Sequence, residues 1–267
     1  MSIDSRLLDT QRAFDSVAAG YDGALGNNPL IQRMREKLWR AVEQNVPIGT
    51  RLLDVGCGTG LDAIHFASIG YEVAATDWSP QMIERTRSRA AEAGLTDRVS
   101  AQSIGVQELD RLDDHFDAMY SDLGPLNCAI DLEAAARSIG RLLKPAGKLI
   151  VSVIGRSCPW EFIYYALHGD LKRARIRSAR ESVPVNLNGQ KVWTHYYSPR
   201  EFYRAFKDQF KLEAYRGLSI FLPPPYLLRD RMRSLYRPLG WIDDRVGGWP
   251  LIQNSGDHFL MVLTKVG

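Results

Sequence analysis

With 267 residues, 45% of them hydrophobic and 24% charged, the chain has the composition of one large folded domain with additions, which excludes fibrous and disordered classes. No apolar run approaches the ~18 residues of a membrane span, and the opening MSIDSRLLDTQ lacks a charged-then-apolar leader, so a cytoplasmic location and no transmembrane segment are expected. A net charge of +3 is too modest to predict a stable nucleic-acid partner, and no metal is expected, because Cys57, Cys128, Cys158 and the five histidines lack ligand spacing.

Residues 1–48 read as a helical cap. Leu7, Leu8, Phe14 and Val17 form an apolar stripe that breaks at Gly20-Tyr21-Asp22-Gly23. After Asn27-Asn28-Pro29, the residues Leu30, Met34, Leu38 and Val42 recur at every fourth position until Pro47 and Gly49 stop the helix.

Next comes Leu52 to Gly60, LLDVGCGTG, an apolar strand followed by three glycines and the helical run LDAIHFAS. This is a strand-loop-helix suited to a nucleoside, since a ligand approaches backbone closely only where no Cβ intervenes. The spacing is GxGxG after Asp54; Leu61 stands where a dinucleotide fingerprint requires glycine. The strand YEVAAT ends at Asp77, 17 residues beyond Gly60, where a carboxylate can accept both ribose hydroxyls. Ser79-Pro80 opens a helix to Gly94. Strands follow at Val99 to Ser103, Phe116 to Tyr120 and Lys148 to Ile154, with a helix from Asp131 to Leu143 and a turn at Pro145-Ala146-Gly147. Alternating strand and helix predict a parallel sheet covered on both faces, with Gly56 to Gly60, Asp77 and Ser121 facing one crevice at the carboxyl ends of the strands.

The GxGxG run with Asp77 in register resembles the class I S-adenosylmethionine-dependent methyltransferases, in particular small-molecule, type 11-like members. The resemblance implies an α/β, Rossmann-like, doubly wound and mostly parallel seven-stranded sheet. It also implies S-adenosyl-L-methionine as cofactor and S-adenosyl-L-homocysteine as product. Asp54, Gly56, Cys57, Gly58, Gly60, Asp77, Trp78 and Ser121 inherit cofactor-binding roles. The stretch FDSVAAGYD resembles the family's cap, in which an aromatic closes over the cofactor; Tyr21 and Phe14 are the candidates. Gly105 stands where the family commonly carries an adenine-binding Asp, with Val106 next, which leaves Gln102, Gln107 or Glu108 open as replacements. SDLGPLNC resembles the segment beneath the methionine moiety, so Ser121, Asp122, Leu123 and Asn127 are candidate lining residues, while Asn127 or Asp131 equally reads as a helix cap.

Beyond Ile154, two insertions depart from a minimal core, at about 155–197 and 219–256, within a methyltransferase domain of 49–267. They flank the helix REFYRAFKD and the strand KLEAYRGL, and DHFLMVLTKV is the final strand. Both are expected to rise as lids where the acceptor enters. They are aromatic and basic: Arg156 to Arg180 holds six basic residues against two acidic, and Tyr226 to Arg245 five against three. Trp160, Arg173, Tyr197 and Tyr226 join Asn127 as acceptor-binding candidates, and a small anionic or amphiphilic acceptor is expected. His195, Tyr196 and Asp122 are the candidates for proton removal in methyl transfer to O, N or C. Pro223-Pro224-Pro225-Tyr226 reads as a rigid turn, since it falls far from the fourth strand. The alternatives are an RNA or protein methyltransferase, or a non-catalytic nucleoside-binding scaffold of the same fold.

Overall fold

The apolar run Leu52, Leu53 and Val55 requires cover on both faces, and it finds this at the centre of a seven-stranded sheet in the computed structural model, which describes residues 4–23, 26–227 and 233–266. Strands β1 (Arg51–Val55), β2 (Glu72–Asp77), β3 (Val99–Ser103), β4 (Phe116–Ser121) and β5 (Leu143–Ile154) are mutually parallel. A separate antiparallel hairpin, β6 (Val183–Leu187) and β7 (Gln190–Thr194), follows. β8 (Phe210–Leu218) and β9 (His258–Lys265) complete the sheet in the order β3-β2-β1-β4-β5-β9-β8, with β9 antiparallel to both neighbours. β5 starts earlier than the sequence suggests, because Leu143 already pairs with Phe116. The register then slips between Phe116 and Ala118, and Ala146 takes φ +62° in the Pro145–Gly147 turn.

Alternation along the strands sends Leu52, Ala118, Tyr120 and Ile150 to one core and Leu53, Val55, Met119 and Leu149 to the other. The first core is closed by α2 (Pro29–Asn45), α3 (Leu61–Ser68) and α4 (Pro80–Glu92), which follow α1 (Ser5–Val17). In α2 the stripe Leu30, Met34, Leu38 and Val42 is buried, at roughly 2 kcal/mol per side chain. Its start is fixed by Asn28, whose side chain accepts from Leu30 N and Ile31 N, with Pro29 at the first helical position. The second core is closed by α5 (Leu132–Leu142), with Asp131 as its cap, and by Phe202 and Phe206 further along the chain.

The first insertion contains α6 (Pro159–Leu167), α7 (Leu171–Ala174) and the hairpin. Trp193 donates from its backbone N to Thr10 Oγ1 at 3.1 Å and from Nε1 to Asp9 Oδ2 at 3.1 Å, which seats the hairpin on α1. α8 (Pro199–Phe206) follows, capped by Ser198 and Glu201. The second insertion carries α9 (Arg233–Val246), which rests on α2 through Arg33 Nη2 to Gly240 O at 2.6 Å and through Arg33 and Lys37 to Asp244. Among the described residues, the first insertion thus reaches the cleft beside α1 through Val192 and Thr194, whereas α9 of the second rests on α2.

Candidate functional site

The glycine loop crosses the end of β2, where Gly56 N and Cys57 N both donate to Thr76 O at 2.8 and 2.9 Å. Gly56 and Gly58 have φ of +80° and +53°. A Cβ on Gly56 would lie 2.2 Å from Pro125 Cβ, whereas one on Gly58 would meet nothing within 4 Å, because Gly58 faces the open cleft. Asp77 is anchored by this loop: Oδ2 accepts from Gly58 N at 2.9 Å and Oδ1 from Ser79 N at 2.8 Å, leaving further lone pairs on both oxygens. Burial pushes the Asp77 carboxyl up to about 6, against the opposing effect of the two N–H donors.

The cleft beside Asp77 has apolar walls: Leu7 and Phe14 from α1, Met82, Ile104 and Val106, and Leu123, Ile154 and Val192 opposite. Tyr21, Cys57, Trp78 and Gln107 also line it. Phe14 and Tyr21 meet edge to face with centroids 6.3 Å apart. α1 is tied across the top, since Gln11 Nε2 donates to Trp78 O at 2.8 Å and Trp78 Nε1 to Leu7 O at 3.2 Å.

The floor is charged. Arg35, on the core-facing side of α2, pairs with Asp62 in the first turn of α3, and Trp39 Nε1 donates to Asp62 Oδ1 at 2.6 Å. Burial opposes the Arg35 charge, but Asp62 and Asp122 outweigh it and hold the guanidinium firmly protonated. Asp122 follows β4 and accepts from Ser152 Oγ at 2.5 Å through Oδ1 alone. Among the described residues, Arg35 Nε and Asp122 Oδ2 are buried without a hydrogen-bond partner, and both residues line the cleft. Burial, with the Asp62 charge added, pushes the Asp122 carboxyl up to about 6, and Arg35 and Ser152 oppose the shift. Arg35 and Asp62 escape a motif search. The available signal is a charged residue inside an apolar stripe, at i+4 from Ile31 and between Met34 and Leu38.

Other residues singled out in the sequence lie off this cleft. Asp54 is buried beneath the loop, accepting from the Tyr120 hydroxyl at 3.0 Å; burial and the Asp62 charge push its carboxyl well above the ordinary range. Gly60, at φ +82°, packs under Thr86 to start α3. Gly105 exchanges bonds with Glu108 around a short turn, and Ser121 Oγ donates to Val55 O at 2.7 Å. Of the side chains open for adenine, Gln107 lines the cleft, whereas Glu108 pairs with Arg111 at 3.3 Å. Asn127 is fully buried: Nδ2 donates to Ile154 O and His195 O, and Oδ1 accepts from Ile154 N, so it clamps β5 to the chain entering α8.

Val192 and Thr194 line the cleft, so strand alternation turns Trp193 away from it, and His195, just past the end of β7, is off it as well. The His195 ring lies 4.3 Å from Tyr197, with Nε2 3.5 Å from Glu201. Tyr196 sits under the Arg177 guanidinium at 5.1 Å, where burial pushes its hydroxyl up to about 12, and Tyr197 packs on Phe202. Trp160 Nε1 donates to Phe221 O at 2.7 Å and the Tyr226 hydroxyl to Glu161, contacts that join the two insertions. Arg173 is exposed, 5.7 Å from the Tyr165 ring. Arg229 and Arg231 of the second basic cluster lie outside the described residues. Cys158, Glu161 and Asp257 have ligand-like spacing, but Glu161 and Asp257 already pair with the buried Arg177 at 2.6 and 2.5 Å.

Residues 52–147 match the family model described as a methyltransferase domain. The chain is 34% identical over 145 residues to an uncharacterized protein of Mycobacterium tuberculosis, a match covering 54% of this chain and 48% of that one, so it spans about half the length of that relative. It is 27% identical over 217 residues to the ubiquinone biosynthesis O-methyltransferase of Methylocella silvestris, covering 81% and 71% of the two chains. A demethylmenaquinone methyltransferase of Clavibacter sepedonicus is 32% identical over 141 residues, covering 52% and 55%. The fold is shared with the N-methyltransferase NodS of Bradyrhizobium japonicum, solved with S-adenosyl-L-homocysteine, at a TM-score of 0.60 and 12% identity over 97% of this chain and 98% of that one. It is also shared with the [4+2]-cyclase SpnF, at 0.64 and 20% over 96% and 95%. The segment that surrounds the glycine loop, residues 52–147, thus matches a methyltransferase domain, and the fold around it is the one found in S-adenosylmethionine-dependent methyltransferases.

Proposed function

We propose that the chain binds S-adenosyl-L-methionine in the cleft and transfers its methyl group to a small amphiphilic molecule. The observation that carries this reading is the pair of orphaned floor atoms, Arg35 Nε and Asp122 Oδ2. An α-amino-acid end brings a carboxylate and an ammonium together, and it satisfies one buried donor and one buried acceptor at once; a nicotinamide dinucleotide has no such end. Asp77 would accept from the ribose hydroxyls, Gly58 leaves the room that a Cβ would fill, and Ile104, Val106 and Gln107 border the remaining apolar slot for the base. We assign Asp122 to the ammonium and not to proton removal, because it shares the buried charge group of Arg35 and Asp62.

When bound, the cofactor supplies a methyl group already activated on a sulfonium. The chain's part is alignment and exclusion of water, an orientation effect worth ~7–11 kcal/mol in well-arranged systems. Phe14, Tyr21 and α1 cover the top, and Leu123, Ile154, Val192 and Thr194 offer a mainly apolar wall to an acceptor. The amphiphilic half of the expected acceptor has support in that wall and in relatives named for ubiquinone biosynthesis and for demethylmenaquinone. The anionic half has none: Arg35 is the one basic side chain among the described lining residues, and it pairs with Asp62. Calorimetric titration with S-adenosylmethionine, S-adenosylhomocysteine and NAD, on the wild type and Asp77→Ala, tests the reading. Binding of the two sulfur nucleosides alone, weakened in the variant, is expected; binding of NAD alone, or of none, would overturn it.

A further inference from the structure

The basic segment that stands out in the sequence is not used by the cleft. Arg177 is buried between Glu161 and Asp257, and Arg156 pairs with Glu201 at 2.8 Å, but Lys172, Arg173, Arg175 and Arg180 are exposed. Every charged side chain between Leu171 and Arg180 is basic. The two helices of this segment also expose apolar side chains. Ile163 and Leu167, one turn apart on α6, are 53% and 81% exposed; Phe162 beside them is 49% exposed, and Leu171 at the start of α7 is 57% exposed. α6 is thus inverted relative to a water-facing helix. Its one buried residue is Glu161, held by Arg177, while its outer face is aliphatic and aromatic. The segment is not loosely attached: Asp170 N bonds Tyr165 O at 2.9 Å, Asp170 caps α7, and Trp160 ties α6 to Phe221.

Grouped apolar side chains beside a uniformly basic run match one kind of partner, a surface with an apolar interior and a negatively charged skin. We propose that α6 and α7 dock on the surface of an anionic phospholipid bilayer. Phe162, Ile163 and Leu167 enter the acyl boundary, and Lys172, Arg173 and Arg175 meet the lipid phosphates. No helix of the described residues is long and apolar enough to cross a membrane, so the contact is interfacial. α6 leaves the end of β5 that supplies Ile154 to the cleft, so docking holds the cleft end of the sheet at the bilayer.

Cosedimentation of the full chain with vesicles of phosphatidylcholine, with and without phosphatidylglycerol, tests this. Binding to the anionic vesicles alone, falling with added salt, is expected. The double variant Lys172→Glu/Arg175→Glu should weaken it at least about tenfold, and the triple variant Phe162→Ser/Ile163→Ser/Leu167→Ser should abolish it. Unchanged thermal unfolding and unchanged S-adenosylhomocysteine binding in both variants would show that fold and cleft are intact. Three results would overturn the proposal: no vesicle binding by the wild type, binding that both variants retain, or self-association that the triple variant removes, which would assign the face to a second copy of the chain.

Discussion

Asp77 serves the loop and the ligand with one carboxylate. Its bonds to Gly58 N and Ser79 N fix the turn, and its remaining lone pairs face the cleft. Hydroxyl donors favour the ionised form, so a bound ribose draws Asp77 below the value of about 6 that burial gives it in the free chain. Affinity for S-adenosylhomocysteine should therefore rise with pH through about 6 and level off near neutrality, the same sign that an ammonium on Asp122 gives. Asp77→Asn should lower affinity about 10- to 100-fold and flatten the pH dependence, both readable by titration calorimetry across pH. The glycines separate folding from binding. At Gly56 an alanine meets Pro125 and a left-handed φ of +80°, so Gly56→Ala should cost at least ~2 kcal/mol in urea denaturation. At Gly58 the added methyl enters open space, so Gly58→Ala should cost only ~1 kcal/mol of stability yet lose most nucleoside binding.

At the scale of elements, periodicity made some things legible and hid others. The fourfold recurrence of Leu30, Met34, Leu38 and Val42 specifies α2 and its buried face, and the same spacing carries Arg35 into the floor of the cleft. β7 was not legible as a strand in the run KVWTHYY, so the alternation that brings Val192 and Thr194 to the cleft and leaves His195 beyond the strand end was not visible either. The first insertion is clasped to the start of the final strand by Arg177, which reaches Glu161 16 residues away and Asp257 80 residues away, separations that leave no local pattern. Removing this guanidinium strands two buried carboxylates, so Arg177→Met should destabilise the chain by ~3–5 kcal/mol in urea. Burial opposes the charge on Asp257, but Arg177 and His258 outweigh it and hold the carboxyl well below its usual range. Its contribution is therefore present above the unfolded value of about 3.9 and is lost as pH falls through the lower folded value. The acid limb of the wild-type stability curve should shrink in Arg177→Met.

For the whole molecule, a parallel sheet covered on both faces, with its crevice at the carboxyl ends of the strands, followed from the alternating elements, and its seven strands from the methyltransferase resemblance; the order β3-β2-β1-β4-β5-β9-β8 did not, because it depends on which sheet edge each crossover returns to. The docking of α9 on α2 did not follow, since the Arg33 to Asp244 pairing spans 211 residues and depends on which surfaces remain free after the sheet forms. Burial of Asp77 and Asp122 also shapes global stability. Raised folded values make their contribution full below about pH 4 and lost as pH rises through about 6. A ligand that engages their ionised forms acts against that loss. S-adenosylhomocysteine at about 100 times its dissociation constant should add ~2.7 kcal/mol, or about 5 °C in Tm, and at fixed concentration the gain should be larger at neutral pH than near pH 5.

The orphaned pair in the floor bears the central claim, and comparing S-adenosylhomocysteine with 5′-methylthioadenosine, which lacks the α-amino-acid end, tests it most directly. Calorimetric titration of the wild type should show the homocysteine nucleoside binding at least about tenfold tighter, with Asp122→Asn removing most of that advantage while leaving methylthioadenosine unchanged. Equal affinity of the two nucleosides for the wild type, or an advantage that survives in Asp122→Asn, would contradict the assignment of Arg35 and Asp122.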